Sequence, residues 1–175
     1  MDPLHGLRPA GDSYATMPIA TAFNWDEAMA DLGDGEWYLV AFRSIRRPDA
    51  DEARLEAFDE LAHQEAAGAP GFIHYFKGPK AADDSCLSFC LWQSRSDARA
   101  AAARPAHVRA VSLIAEMYAL YALEFLRVRR EADGPIAFSP YDPGHPTQPV
   151  TSEPVDRTPP SPLAPPLVLR PAPAS

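Results

Sequence analysis

The stretch EWYLVAFRSI, residues 36–45, decides how the rest of the chain is arranged. It is rich in aromatic and β-branched residues, which predicts a strand. Side chains alternate across a strand, so Trp37, Leu39 and Ala41 share one face and Tyr38, Val40 and Phe42 the other. Both faces are apolar. A strand of this kind belongs to a sheet that is covered on both sides.

Downstream, Pro48-Asp49 opens a helix, with Asp49 as cap and Glu52 in the capping-box position. Leu55, Phe58, Leu61, Ala62 and Glu65 follow helical spacing, and Gly68 ends the segment. GFIHYFKG (71–78) reads as a strand between glycines, a loop covers 79–85, and CLSFCLWQ (86–93) is the next strand. Ser96 or Asp97 caps a helix carrying the alanines at 100–103. Pro105 cannot sit inside that helix, so it starts a second one at its favoured first position. Val108, Val111, Ile114, Ala115 and Tyr118 form the expected inner face of that helix, and YALEFLRV (121–128) the last strand. Strand, helix, strand, strand, helix, strand is the ferredoxin-like α+β plan, a four-stranded antiparallel sheet with both helices on one face. Two helices leave the second face bare. A second copy related by a two-fold axis is the expected cover, closing two sheets into a barrel-like homodimer.

The 175 residues suit one domain, and composition marks its limits. Of 20 prolines, 13 lie between Pro135 and Pro173, which places a boundary near Asp133-Gly134-Pro135. The expected units are an N-terminal extension (1–35), partly flexible with a short helix capped by Asn24; the folded domain (36–132); and a disordered proline-rich tail (133–175). A net charge of −8 argues against general nucleic-acid binding. The local arginines of RSIRR (43–47) and LRVRR (126–130) are either solvated strand ends or an anion-binding rim. There is no apolar secretory stretch near residue 1 and no run of the ~20 apolar residues a membrane span needs, so a cytoplasmic protein is expected.

Six residues carry the chemistry the sequence offers. Cys86 and Cys90 lie four apart in a strand, ~13 Å between α-carbons, too far for a disulfide. No second pair supplies a zinc pattern, so both read as reduced thiols, with Cys90 a candidate pocket-lining residue. His74, between Phe72 and Phe76, is either a core histidine or a general base. Glu124 either pairs with Arg43 across the sheet or sits in a pocket as a catalytic carboxylate. Trp92 either fills the core or stacks on a substrate. His107, in the first turn of a helix, is either a solvent-touching cap or a neutral base or ligand. The candidate set is therefore His74 and Glu124 as catalytic groups and Trp92, His107, Arg43 and Cys90 as substrate-binding groups, with no metal cluster; His63 and Glu65 read as solvated.

The order of elements, the GFIHYF strand, the SFCLWQS strand-to-corner and the RPAH helix entry resemble the dimeric α/β-barrel proteins. Within them the chain is most similar to the antibiotic-biosynthesis-monooxygenase-like family, on a strand ending Trp92-Gln93-Ser94 and a His near a Pro, here His107 and Pro105. The resemblance covers about residues 36–130. It implies a small homodimer, some of whose relatives oxidise aromatic polyketides without metal or flavin in a pocket between sheet and helices. A haem-degrading branch uses a first-strand Asn, a Trp and a helical His. Trp92 and His107 could stand for the last two, but residues 36–45 contain no Asn. Haem binding alone would not need it. The expectation is a small-molecule-binding dimer, with cofactor-independent monooxygenase-like action on an apolar or aromatic substrate as the first alternative. A non-catalytic dimer and a haem-binding protein are the others. No nucleophile elbow or phosphate loop fixes the chemistry, so whether it is an enzyme stays open at this level.

Overall fold

The computed structural model describes residues 3–132, 134–142 and 149–150. Four strands make the main sheet: β1 (Gly35–Arg46), β2 (Phe72–Phe76), β3 (Ser85–Trp92) and β4 (Tyr118–Arg130). Their spatial order is β2-β3-β1-β4, with every pairing antiparallel. The fold is ferredoxin-like α+β, with β1 in the interior of the sheet as its two apolar faces require. Between β1 and β2 runs α2 (Glu52–Ala67), following the four-residue α1 (Trp25–Ala28) earlier in the chain. Its cap is Asp51 rather than Asp49, because the Asp51 carboxylate accepts from the Arg54 N–H at 3.0 Å. Ser94 likewise caps α3 (Arg95–Ala102), its hydroxyl accepting from the Asp97 N–H.

Pro105 restarts the chain as α4 (Pro105–Ser112), as its missing N–H predicts. The helix ends sooner than its apolar spacing suggests. A single turn, α5 (Ile114–Met117), follows, and β4 begins at Tyr118. The break leaves Val108 and Val111 largely exposed, although Val111, Ile114 and Tyr118 still border the space over the sheet, while Leu113 and Met117 are buried with Leu55 of α2.

The sheet's second face is covered by the chain's own N-terminal segment. Residues 4–29 lie across it and contribute nine buried side chains, among them Leu4, Tyr14, Ile19, Phe23, Trp25 and Met29. They pack on Trp37, Leu39, Ala41, Leu87, Phe89, Leu91 and Val128. The segment is knit internally by a Pro9–Phe23 bridge, an Arg8–Glu27 ion pair and the Trp25 indole N–H donating to the Ile19 carbonyl at 2.7 Å. The stretch expected to be a partly flexible extension is thus part of the main core. The opposite boundary shifts too. β5 (Ala137–Pro140) pairs with the outer edge of β4, and β6 (Pro149–Val150) pairs with Tyr121 and Ala122, so the sheet continues past position 133. The expectation of disorder for residues 143–148 and 151–175 lies outside the described residues.

One irregularity in β2 governs which side chains meet which face. Phe72 stands opposite Trp92, yet His74 stands opposite Leu91, so Ile73 is an inserted residue. Such a bulge interrupts the alternation of the strand. Phe72 and Tyr75 point toward the helices, whereas Ile73, His74 and Phe76 join the core under the N-terminal segment.

Candidate functional site

Between the helical face of the sheet and α2, α3 and α4 lies a cavity of about 410 Å3. That is within the range of small-molecule pockets, ~300–1,000 Å3. Alternate residues of β1 form its floor: Tyr38, Val40, Phe42, Ser44 and Arg46. Antiparallel pairing sets Trp92, Cys90, Ser88 and Cys86 of β3 beside the first four of these. Phe125, Leu123 and Tyr121 of β4 flank Val40, Phe42 and Ser44 on the other side. The register therefore grades the floor from aromatic at Tyr38 and Trp92 to polar at Ser44 and Arg46. Leu55, Phe58, Ala62, Ala98, Ala101 and Val111 contribute the helical wall. Phe72 meets Trp92 edge to face at 5.3 Å between ring centres, which locks the indole in the aromatic end.

The polar chemistry is concentrated where α2 faces β2. The Tyr75 hydroxyl donates to Asp59 Oδ1 at 2.8 Å. Asp59 is also paired with Lys77, whose ammonium lies 2.8 Å from it and 2.7 Å from Glu56. Burial, reinforced by the Asp59 charge and hydrogen bond, pushes the Tyr75 phenol far above its ordinary range. Burial alone would lower the Lys77 ammonium, but its bonds to Asp59 and Glu56 outweigh that and raise it. The His63 ring packs 4.9 Å from Tyr75. Burial also pushes Cys90 up to about 12 and raises Cys86, so both thiols stay protonated.

Of the six residues singled out from sequence, three line this cavity: Trp92, Cys90 and His107. Burial lowers the His107 pKa, opposed by the Ala102 carbonyl and the Glu65 carboxylate. The other three sit on the far side of the sheet. Arg43 and Glu124 form an ion pair there, and the guanidinium also donates to the carbonyls of Ala15 and Met17 at 2.6 and 2.7 Å. His74 packs against Phe89 in the same core. None of these three lines the cavity. The expected arrangement of His74 and Glu124 as pocket acid–base groups is corrected: the β2 bulge and the β4 register turn both away.

Asp59, Tyr75 and Tyr121 also line the cavity, as does His63, which was expected to be solvated. Asp59 did leave a signal, since it lies four residues after Leu55 and three before Ala62, within the inward stripe of α2. Glu65 is not a solvated residue either. Its carboxylate accepts from the Ala106 and His107 N–H groups at 2.9 and 3.4 Å and caps α4 from another helix.

The cavity does not fit haem degradation. The floor positions of the first strand are Tyr, Val, Phe, Ser and Arg, with no amide to play the part of that branch's Asn. Among the described residues no group of three or more His, Cys, Asp or Glu could hold a metal ion, and no helix is long and apolar enough to cross a membrane.

Among solved structures the chain is similar to SnoaB, a cofactor-independent oxygenase from Streptomyces nogalater, at 17% identity over 57% of this chain and 95% of that one, with a TM-score of 0.42. It is similar to Rv0793 from Mycobacterium tuberculosis at 18% identity, over 62% and 95%, with a TM-score of 0.42. A dimeric ferredoxin-like protein of unknown function from Thermobifida fusca YX shares 16% identity over 55% and 92%, with a TM-score of 0.43. No curated protein matches the sequence. One family does: the model of the PB2B2.08-like proteins matches residues 1–139, from the N-terminal segment into β5, and the chain belongs to that family.

Proposed function

We propose that the protein binds a small, largely apolar aromatic molecule in the cavity between sheet and helices and acts on it as a monooxygenase-like enzyme without a cofactor. The observation that carries this reading is one hydrogen-bonded tyrosine–carboxylate pair, Tyr75 and Asp59, in the wall of a cavity with an aromatic end. Trp92, Phe72 and Tyr38 would hold the ring system at the aromatic end. A ligand hydroxyl donating to the Tyr75 oxygen can pass its proton there as Tyr75 passes its own to Asp59. The electron-rich anion left behind reacts with dioxygen; one oxygen atom enters the substrate, and the substrate's electrons turn the other into water. His107, kept neutral by burial, and Cys90 shape the wall without taking part in that transfer.

The test uses 1-naphthol and naphthalene as paired probes, with binding followed by intrinsic fluorescence and reaction by dioxygen uptake. Loss of one hydrogen bond, ~1 kcal/mol, should weaken 1-naphthol about fivefold in Tyr75→Phe and leave naphthalene unchanged. Trp92→Phe reports whether the fluorescence change arises in the cavity rather than at Trp25 or Trp37, which lie across the sheet. Binding without dioxygen uptake by any hydroxyarene would make the protein a binding module. No binding of either probe refutes the assignment of the cavity.

A further inference from the structure

The sheet face opposite the cavity is apolar from Trp37 to Val128 and must be kept from water. We infer that residues 4–29 take, within one chain, the position that a second copy would otherwise occupy, and that this face is closed to homodimerisation. Three observations support it independently of any function for the cavity.

The first is chemical. Arg43 and Glu124 form an ion pair on this face, each side chain about one-fifth exposed at 21%. Two further guanidinium donors go to the Ala15 and Met17 carbonyls. These carbonyls are free because they sit in irregular backbone around the turn Tyr14–Thr16. The carbonyls of a second sheet laid across the face would already be committed to their own ladder. Arg43 would then be buried with donors unmet, which is strongly unfavourable. The face is matched to a loop, not to a sheet.

The second is attachment at the far end. Arg130 donates to the carbonyls of Met29 and Ala30 at 3.3 Å, and the Ile136 N–H donates to Asp26 at 2.7 Å. Trp25 and Phe138 rings lie 5.2 Å apart. The segment is clamped by β4 and by the approach to β5. The third is packing: Ala22 and Met29 are fully inaccessible, and Phe23 contacts Tyr14, Trp25, Phe76 and Phe89 edge to face. The segment fills the face over Trp37, Leu39 and Ala41, leaving only the far end of β1, at Ile45, 36% exposed.

The experiment pairs light-scattering mass with amide hydrogen exchange on the full chain, from micromolar to near-millimolar concentration. The expected mass is one chain, 19.1 kDa. The Asn24, Ala28 and Met29 amides, bonded to Arg8, Asn24 and Trp25 carbonyls, should exchange roughly a hundredfold or more below unstructured rates. A two-chain mass with these amides still slow places the second copy elsewhere and upholds the closure of this face. Fast exchange at all three, at either mass, overturns it. Ala22→Asp should release the segment, speeding those amides and making the mass rise with concentration. Unchanged amides and mass in a folded Ala22→Asp protein would also overturn it.

Discussion

Arg43→Ala should destabilise the protein by about 3 kcal/mol, more than loss of its acidic partner. The side chain makes charge-assisted contacts with Glu124, the Ala15 carbonyl and the Met17 carbonyl. Hydrogen bonds to charged groups contribute ~1.5–3 kcal/mol each, and breaking a fully buried pair costs ~3–5 kcal/mol. The pair is partly exposed, so water can reach Glu124 in the variant and the lower end of that range applies. Glu124→Ala removes one contact and leaves Arg43 its two carbonyls, so about 1 kcal/mol is expected. The double variant should be no worse than Arg43→Ala alone, because the only purpose of Glu124 here is to pair. Urea unfolding with linear extrapolation measures all three. By heat, Arg43→Ala should lower Tm by roughly 6–12 °C for a chain of this size. Equal costs for the two single variants would show that the bonds to the N-terminal segment carry no weight, and simple additivity in the double would show that Arg43 and Glu124 are not coupled.

Two further outcomes concern titration. Burial lowers the His107 pKa, so as pH falls below the ordinary ~6.5 the unfolded chain takes up the proton first. Its contribution to stability is full above that pH and is lost as pH falls toward the folded value; the acid side of the urea-midpoint profile should be flatter in His107→Gln, and an identical profile would refute the burial of the ring. Cys86 and Cys90 are both held protonated by burial. Neither should react with Ellman's reagent in the folded protein at mildly alkaline pH, both should in urea, and rapid labelling of one native thiol would mean that the cavity is open to water there.

The path of the chain was legible where side-chain period and structure agree. Residues 36–45 are a strand because no other element suits aromatic and β-branched residues apolar on both sides, and the element order then leaves one topology. The cap of α2 was read two residues early because Asp49 and Asp51 carry the same carboxylate. Only the geometry of the preceding loop decides between them. The site was less visible. A bulge at Ile73 has no signature of its own in FIHYF, and it alone separates Phe72 from His74. The pairing of Asp59 with Tyr75 joins residues 16 apart on different elements, beyond the reach of local periodicity. The N-terminal segment was misread for another reason. Its Gly, Pro and Asp content is that of a loop, and its apolar residues follow no repeat, since they fit a sheet face through turns rather than through an element of their own.

The clamp on residues 26–30 also constrains how the protein comes into being. Arg130 and Ile136 bind partners that precede them by 101 and 110 residues. During synthesis the stretch carrying Phe23, Trp25 and Met29 emerges long before the strands that shelter it. It cannot dock until β4 and the approach to β5 have been made. Contacts so distant in sequence close late and slowly, and apolar surface waiting for them is prone to aggregate. Nascent chains arrested before Ile136 should therefore depend on chaperones to a degree that the finished protein does not.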